Sequence, residues 1–159
     1  MRWRSIPDAG VGRRSRSANG VLDVESVITI DIRTRPDVDL ARREVRRLAA
    51  SAGLNFHDVE MVALAVTELA FNLVRYAQGG SIVLSRAISE GRTGVQIESR
   101  DTGPGIDDLV LAMQDNYSTG GGLGSGLPAV KRLMDEFTIS STPKGTRVIA
   151  RKWMTPNRR

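Results

Sequence analysis

The chain has no cysteine among its 159 residues. That excludes disulfides and thiolate metal sites, and it allows a reducing compartment. Aromatic residues make up only 4% of the sequence. A core must therefore come from Val, Ile, Leu, Ala and Met, within a hydrophobic content of 40%. No apolar run reaches the roughly 20 residues that span a bilayer. Met1 to Gly20 carries arginines but lacks the apolar stretch of a secretory signal, so a cytoplasmic location is expected. The length predicts one domain.

What the chain does have is basic charge, a formal +5 and a pI near 10.4. A nucleic-acid partner would need that charge on the folded part. Its distribution says otherwise. Residues 1–20 hold Arg2, Arg4, Arg13, Arg14 and Arg16 against Asp8, and residues 151–159 hold Arg151, Lys152, Arg158 and Arg159. The stretch between is mildly acidic, so nucleic acid is not the expected partner. Residues 1–20 read as a disordered basic arm, 21–153 as one folded unit, and 154–159 as a basic tail.

Hydrophobic spacing predicts the elements. Val24 to Ile32 alternates like a strand. Pro36 opens a helical pattern of Val38, Ala41, Val45, Leu48 and Ala52, stopped at Gly53. A longer helix should run from about Asn55 to Ala77 and end at Gly79-Gly80. Ser81 to Ile88 and Val95 to Arg100 read as strands around a turn at Gly91 and Gly94. Short helices are expected over Asp107–Gln114 and Pro128–Asp135, and strands over Phe137–Ser141 and Thr146–Trp153. The pattern predicts an α+β fold, a two-layer sandwich with helices on one face of a mixed sheet.

Three motifs carry chemistry. Glu68 and Asn72 are four apart on the long helix and share a face. A carboxylate can orient or deprotonate a hydroxyl, and a carboxamide oxygen suits Mg2+. Alone, such a pair is an ordinary helix surface. Asp101-Thr-Gly-Pro-Gly105 follows a strand. A carboxylate there needs a donor such as a purine amine, and Gly103 and Gly105 let the backbone bend around a flat ligand. Read blandly, the same residues are a tight turn. Ser118 to Leu127 has five glycines between Gly120 and Gly126, just before a helix. Exposed amides leading into a helix cradle anions. The spacing is neither a P-loop nor a dinucleotide fingerprint.

The order of these motifs resembles the GHKL superfamily of gyrase-type ATPases, Hsp90 and histidine kinases, over about Val21 to Trp153. Gly121 to Phe137, GGLGSGLPAVKRLMDEF, resembles the RsbT branch of switch kinases. The resemblance implies the Bergerat fold, ATP and Mg2+. It implies Glu68 as general base and Asn72 as the Mg2+ ligand. Asp101 would bond the adenine amine, with Gly103 and Gly105 shaping its pocket. Gly120, Gly122, Leu123, Gly124 and Gly126 would close over the phosphates, and Thr146 would help to bind adenine through water. It further implies a Ser/Thr kinase acting on a STAS-domain antagonist or scaffold protein, and a PP2C-type phosphatase as a second partner. Asn72 is followed by Leu73-Val74-Arg75-Tyr76, not the Ala and His of sigma-binding relatives, which favours the kinase branch. His57 opens a helix and reads as a cap or surface residue. The competing expectation is a nucleotide-gated protein that sequesters a partner without useful kinase activity. Monomer and homodimer are both open.

Overall fold

The computed structural model describes residues 23–114 and 126–156. The expected arm, most of the glycine-rich loop and the last three residues lie outside this range. The elements are β1 (Asp23–Ile32), α1 (Arg35–Ser51), α2 (Phe56–Tyr76), β2 (Gly80–Ser89), β3 (Arg92–Arg100), α3 (Leu109–Ala112), α4 (Leu127–Leu133), β4 (Glu136–Thr142) and β5 (Gly145–Trp153). No helix among the described residues is long and apolar enough to cross a membrane.

The helices pack on one face of a five-stranded sheet in the order β1-β2-β3-β5-β4. The expected two-layer α+β sandwich is present, but the sheet is antiparallel throughout and not mixed. The reason is that the chain re-enters the sheet as a β4–β5 hairpin. The hairpin turns β5 against β3 and leaves β4 at the edge.

Residue chemistry sets both ends of α2. Asn55 caps α2, its Oδ1 accepting from the Asp58 amide at 2.9 Å. At the other end, Gln78 and Gly79 take positive φ and the Gly79 amide donates back to the Leu73 carbonyl at 2.9 Å. Gly80, expected to help stop the helix, already belongs to β2. The apolar stripes of α1 and α2 meet Ile82, Leu84, Val95 and Ile97 of the sheet in one core. Lys152 ties this core at its far end. Its Nζ donates to the Leu133 carbonyl and Asp135, both at 3.1 Å, and stands 3.8 Å from the buried Asp58.

Gly94 does not turn the chain. It lies inside β3, between Ala87 and Trp153, and the turn is Glu90-Gly91. A Cβ on Gly94 would come within 2.2 Å of the Lys152 carbonyl oxygen, while one on Gly91 would meet nothing. Substitution Gly94→Ala should therefore cost about 2 kcal/mol or more, and Gly91→Ala about 1 kcal/mol from its positive φ alone. Urea unfolding of both checks this; equal costs would place both glycines in the turn.

On the sheet face away from the helices, Glu98 is buried and accepts from both Arg100 and Arg147. Burial pushes its carboxyl up, but the two guanidiniums outweigh burial and hold it below the ordinary carboxylate range. The folded value thus lies below the unfolded one. The pairing stabilises the protein above the unfolded value and is lost as pH falls through the folded value. Glu98→Gln should lower the melting temperature at pH 7 and converge with wild type as the pH falls below the depressed folded value. Melting curves parallel across that range would contradict it.

Candidate functional site

A cavity of about 280 Å3 opens between α2, the ends of β3 and β5, and the start of α4. Leu69, Leu73, Ile106, Leu127 and Val148 give it apolar walls. Its polar groups come from the three motifs.

Glu68 and Asn72 lie at the edge of the buried stripe of α2, and both line the cavity. Glu68 is only 5% exposed. Its carboxylate has no hydrogen bond or ion pair among the described residues. Its oxygens still reach the cavity space, so a ligand seated there would meet an unoccupied acceptor. The half-buried Asn72 carboxamide also lacks a partner there.

Asp101 follows β3, and its carboxylate is half occupied. Oδ1 accepts from the Gly103 amide at 2.9 Å and from the Thr146 amide at 3.2 Å. Oδ2 has no partner among the described residues. One oxygen thus fixes the side chain and the other is free to accept a donor on a ligand. The Asp101 amide returns to the Thr146 carbonyl at 3.1 Å, which extends the β3–β5 ladder to the cavity wall. Close approach is enforced here by glycine. A Cβ on Gly145 would fall 2.1 Å from the Asp101 carbonyl oxygen, and one on Gly105 equally close to that of Thr142.

Glu68, Asn72, Asp101, Gly105, Gly126 and Thr146 line this one cavity. Gly103 does not. It lies behind Asp101 against Ala77, lining a separate shallow depression, and touches the site through its amide. Gly126 caps α4 with φ of 66°. Gly120, Gly122, Leu123 and Gly124 lie outside the described residues.

Sequence reasoning missed Arg75 and Tyr76, which line the cavity next to Asn72. Their spacing, three and four residues after Asn72, was the available signal. It also missed Ser141. The Ser141 hydroxyl accepts from the Ile106 amide and shares a hydrogen with Thr146 Oγ1, both at 2.8 Å. No local pattern signals a residue that acts across 35 positions.

A long helix bearing an acid and an amide, facing an aspartate pinned at the end of an antiparallel strand, defines an ATP-binding domain of the histidine-kinase type. The family model described as the histidine kinase-like ATPase domain matches residues 33–152, and the chain belongs to that family. Within it, the chain is RsbT-like. It is 41% identical over 126 residues to the Serine/threonine-protein kinase RsbT of Bacillus subtilis (strain 168), covering 79% of this chain and 95% of that protein. It is also 31% identical over 125 residues to the Anti-sigma F factor of Caldanaerobacter subterraneus subsp. tengcongensis, covering 74% and 86%. A solved structure of the RsbU and RsbW domains of a Mycobacterium tuberculosis protein superposes with a TM-score of 0.59 at 20% identity. That match covers 84% of this chain and 34% of the other, and it shows a shared fold.

Ser141→Ala should loosen the Ile106–Thr146 wall and weaken nucleotide binding about tenfold, the equivalent of one lost hydrogen bond. Calorimetric titration with an ATP analogue measures it. Unchanged affinity would show that the hydroxyl does not position the site.

Proposed function

We propose that this chain, a serine/threonine-protein kinase of the RsbT type, phosphorylates a STAS-domain antagonist or scaffold protein in a bacterial partner-switching pathway, working in the cytoplasm. The observation that carries this reading is the buried, unpartnered Glu68 carboxylate at the cavity wall, one helical turn from Asn72.

In the proposed reaction the partner's Ser or Thr oxygen attacks the γ-phosphorus of ATP. The bond to the β–γ bridging oxygen breaks and ADP leaves. Glu68 aligns the attacking hydroxyl and accepts its proton. Asp101 Oδ2 accepts from the adenine amine, with Thr146 beside it, Gly105 holding the wall close and Gly103 holding Asp101. Gly120, Gly122, Leu123, Gly124 and Gly126 would cover the phosphates and exclude water; the resemblance alone supports that part.

The residues present fit Mg2+ carried in on the nucleotide. Asn72 offers one unpartnered carboxamide oxygen, and no group of three His, Cys, Asp or Glu that could cage an ion exists among the described residues. When bound, the ion would neutralise phosphate charge. A PP2C-type phosphatase, activated once the kinase is released, is the second partner proposed from the resemblance.

The anti-sigma F relatives favour a second reading, in which the same pocket gates sequestration of a partner. Transfer of phosphate separates the two. The test incubates the protein with labelled ATP, Mg2+ and the STAS-domain proteins of its own genome. Label should appear on a Ser or Thr of one of them. Glu68→Gln should bind the nucleotide within about twofold and lose roughly 100-fold or more in transfer. Wild-type transfer by that variant removes the base assignment. Tight ATP binding with no labelled protein supports sequestration.

A further inference from the structure

Phe71 stands half-buried on α2, beside the cavity rim, and two guanidiniums rest on its ring. The Arg35 Cζ lies 5.7 Å from the ring centroid and the Arg75 Cζ 5.3 Å. Neither arginine has a carboxylate partner among the described residues. Arg42, Arg46 and Arg47 of α1 hold Asp39, Glu60 and Glu44, whereas Arg43, like Arg35, is exposed without an acidic partner among the described residues but lies against no aromatic ring there. The nearest acid in sequence to Arg35 is Asp37. Its Oδ2 is already taken by the amides of Arg33 and Thr34 and the Thr34 hydroxyl, at 2.8–3.0 Å.

Two cations on one ring repel each other. Attraction of an exposed guanidinium to the ring offsets only about 0.5–1 kcal/mol for each. An anion lying along both would relieve that repulsion. Its location limits what that anion is. Arg75 lines the cavity, but Arg35 does not. It sits in the first turn of α1, so the Phe71 ring on α2 links a rim residue to one on a separate helix outside the cavity. A nucleotide seated against Asp101 ends inside the cavity. A protein that presents a hydroxyl to Glu68 must cross the rim. We infer that Arg35, Phe71 and Arg75 form a docking strip for an acidic segment of the substrate protein, placed beside its phosphorylated residue. The inference rests on the kinase reading for the position of that hydroxyl.

The test uses the full chain and a fluorescein-labelled deca-aspartate peptide, followed by fluorescence anisotropy in the presence of an ATP analogue. The wild type should bind it saturably, and salt should weaken binding. Arg35→Glu should weaken it at least tenfold, while nucleotide affinity stays within twofold and so reports an intact fold. Phe71→Leu, which keeps an apolar side chain but removes the ring, should weaken it severalfold. Arg43→Glu makes the same charge change at another exposed position of α1 and should stay within twofold. Equal losses in Arg35→Glu and Arg43→Glu, or no saturable binding by wild type, would overturn the strip. Loss confined to Arg35→Glu with no phosphotransfer to any STAS protein would uphold an acidic docking strip and refute the kinase reading. Transfer to a STAS protein with peptide binding unchanged in Arg35→Glu would do the reverse.

Discussion

The Asp101 carboxylate is the joint on which the site depends. Its Oδ1 gathers two backbone amides, one from its own loop and one from β5. The β3–β5 ladder and the turn after β3 are thereby held in one arrangement. Gly105 and Gly145 allow the backbones to come that close, because a side chain on either would collide with a carbonyl. Without this joint, Oδ2 would lose its fixed direction, although the strand ladders would still hold the wall that carries Thr146.

Across the cavity, α2 performs two tasks on one cylinder. Its small apolar residues, Val62, Val66 and Ala70, are fully buried in the core shared with the sheet. That burial fixes the helix rotation and so brings Glu68 and Asn72 to the cavity edge. Glu68 has no partner among the described residues, and its carboxylate opens only onto the cavity. A protein gains nothing in stability from such a group, which is the physical reason for reading it as functional. Stability comes instead from the core and from paired groups such as Glu98 with its two arginines.

Much of this was legible in the sequence because it rests on local signals. Helical spacing marked both long helices to within a residue or two, and Asn55 and Gly53 marked their junction. The acid and amide of α2 were visible at four-residue spacing, and Asp101 at a strand end. What was not legible depends on distant pairing. Gly94 looked like a turn residue because a glycine next to a turn gives the same local signal as one squeezed between strands. Only the neighbouring Lys152 carbonyl distinguishes them. The sheet was expected to be mixed because sequence order does not reveal that β5 inserts beside β3. Ser141 and the Arg35–Phe71–Arg75 row were invisible for the same reason, since each is assembled from separate elements.

The central claim is that this cavity recognises an adenine nucleotide through the free oxygen of Asp101. Paired calorimetric titrations with ATP and GTP, both with Mg2+, test it most directly. Adenine offers an amine to that oxygen, while guanine presents a carbonyl that would face a carboxylate. The account predicts saturable ATP binding and GTP binding at least about 100-fold weaker, equivalent to about 2.7 kcal/mol. Equal affinity for the two nucleotides would contradict it.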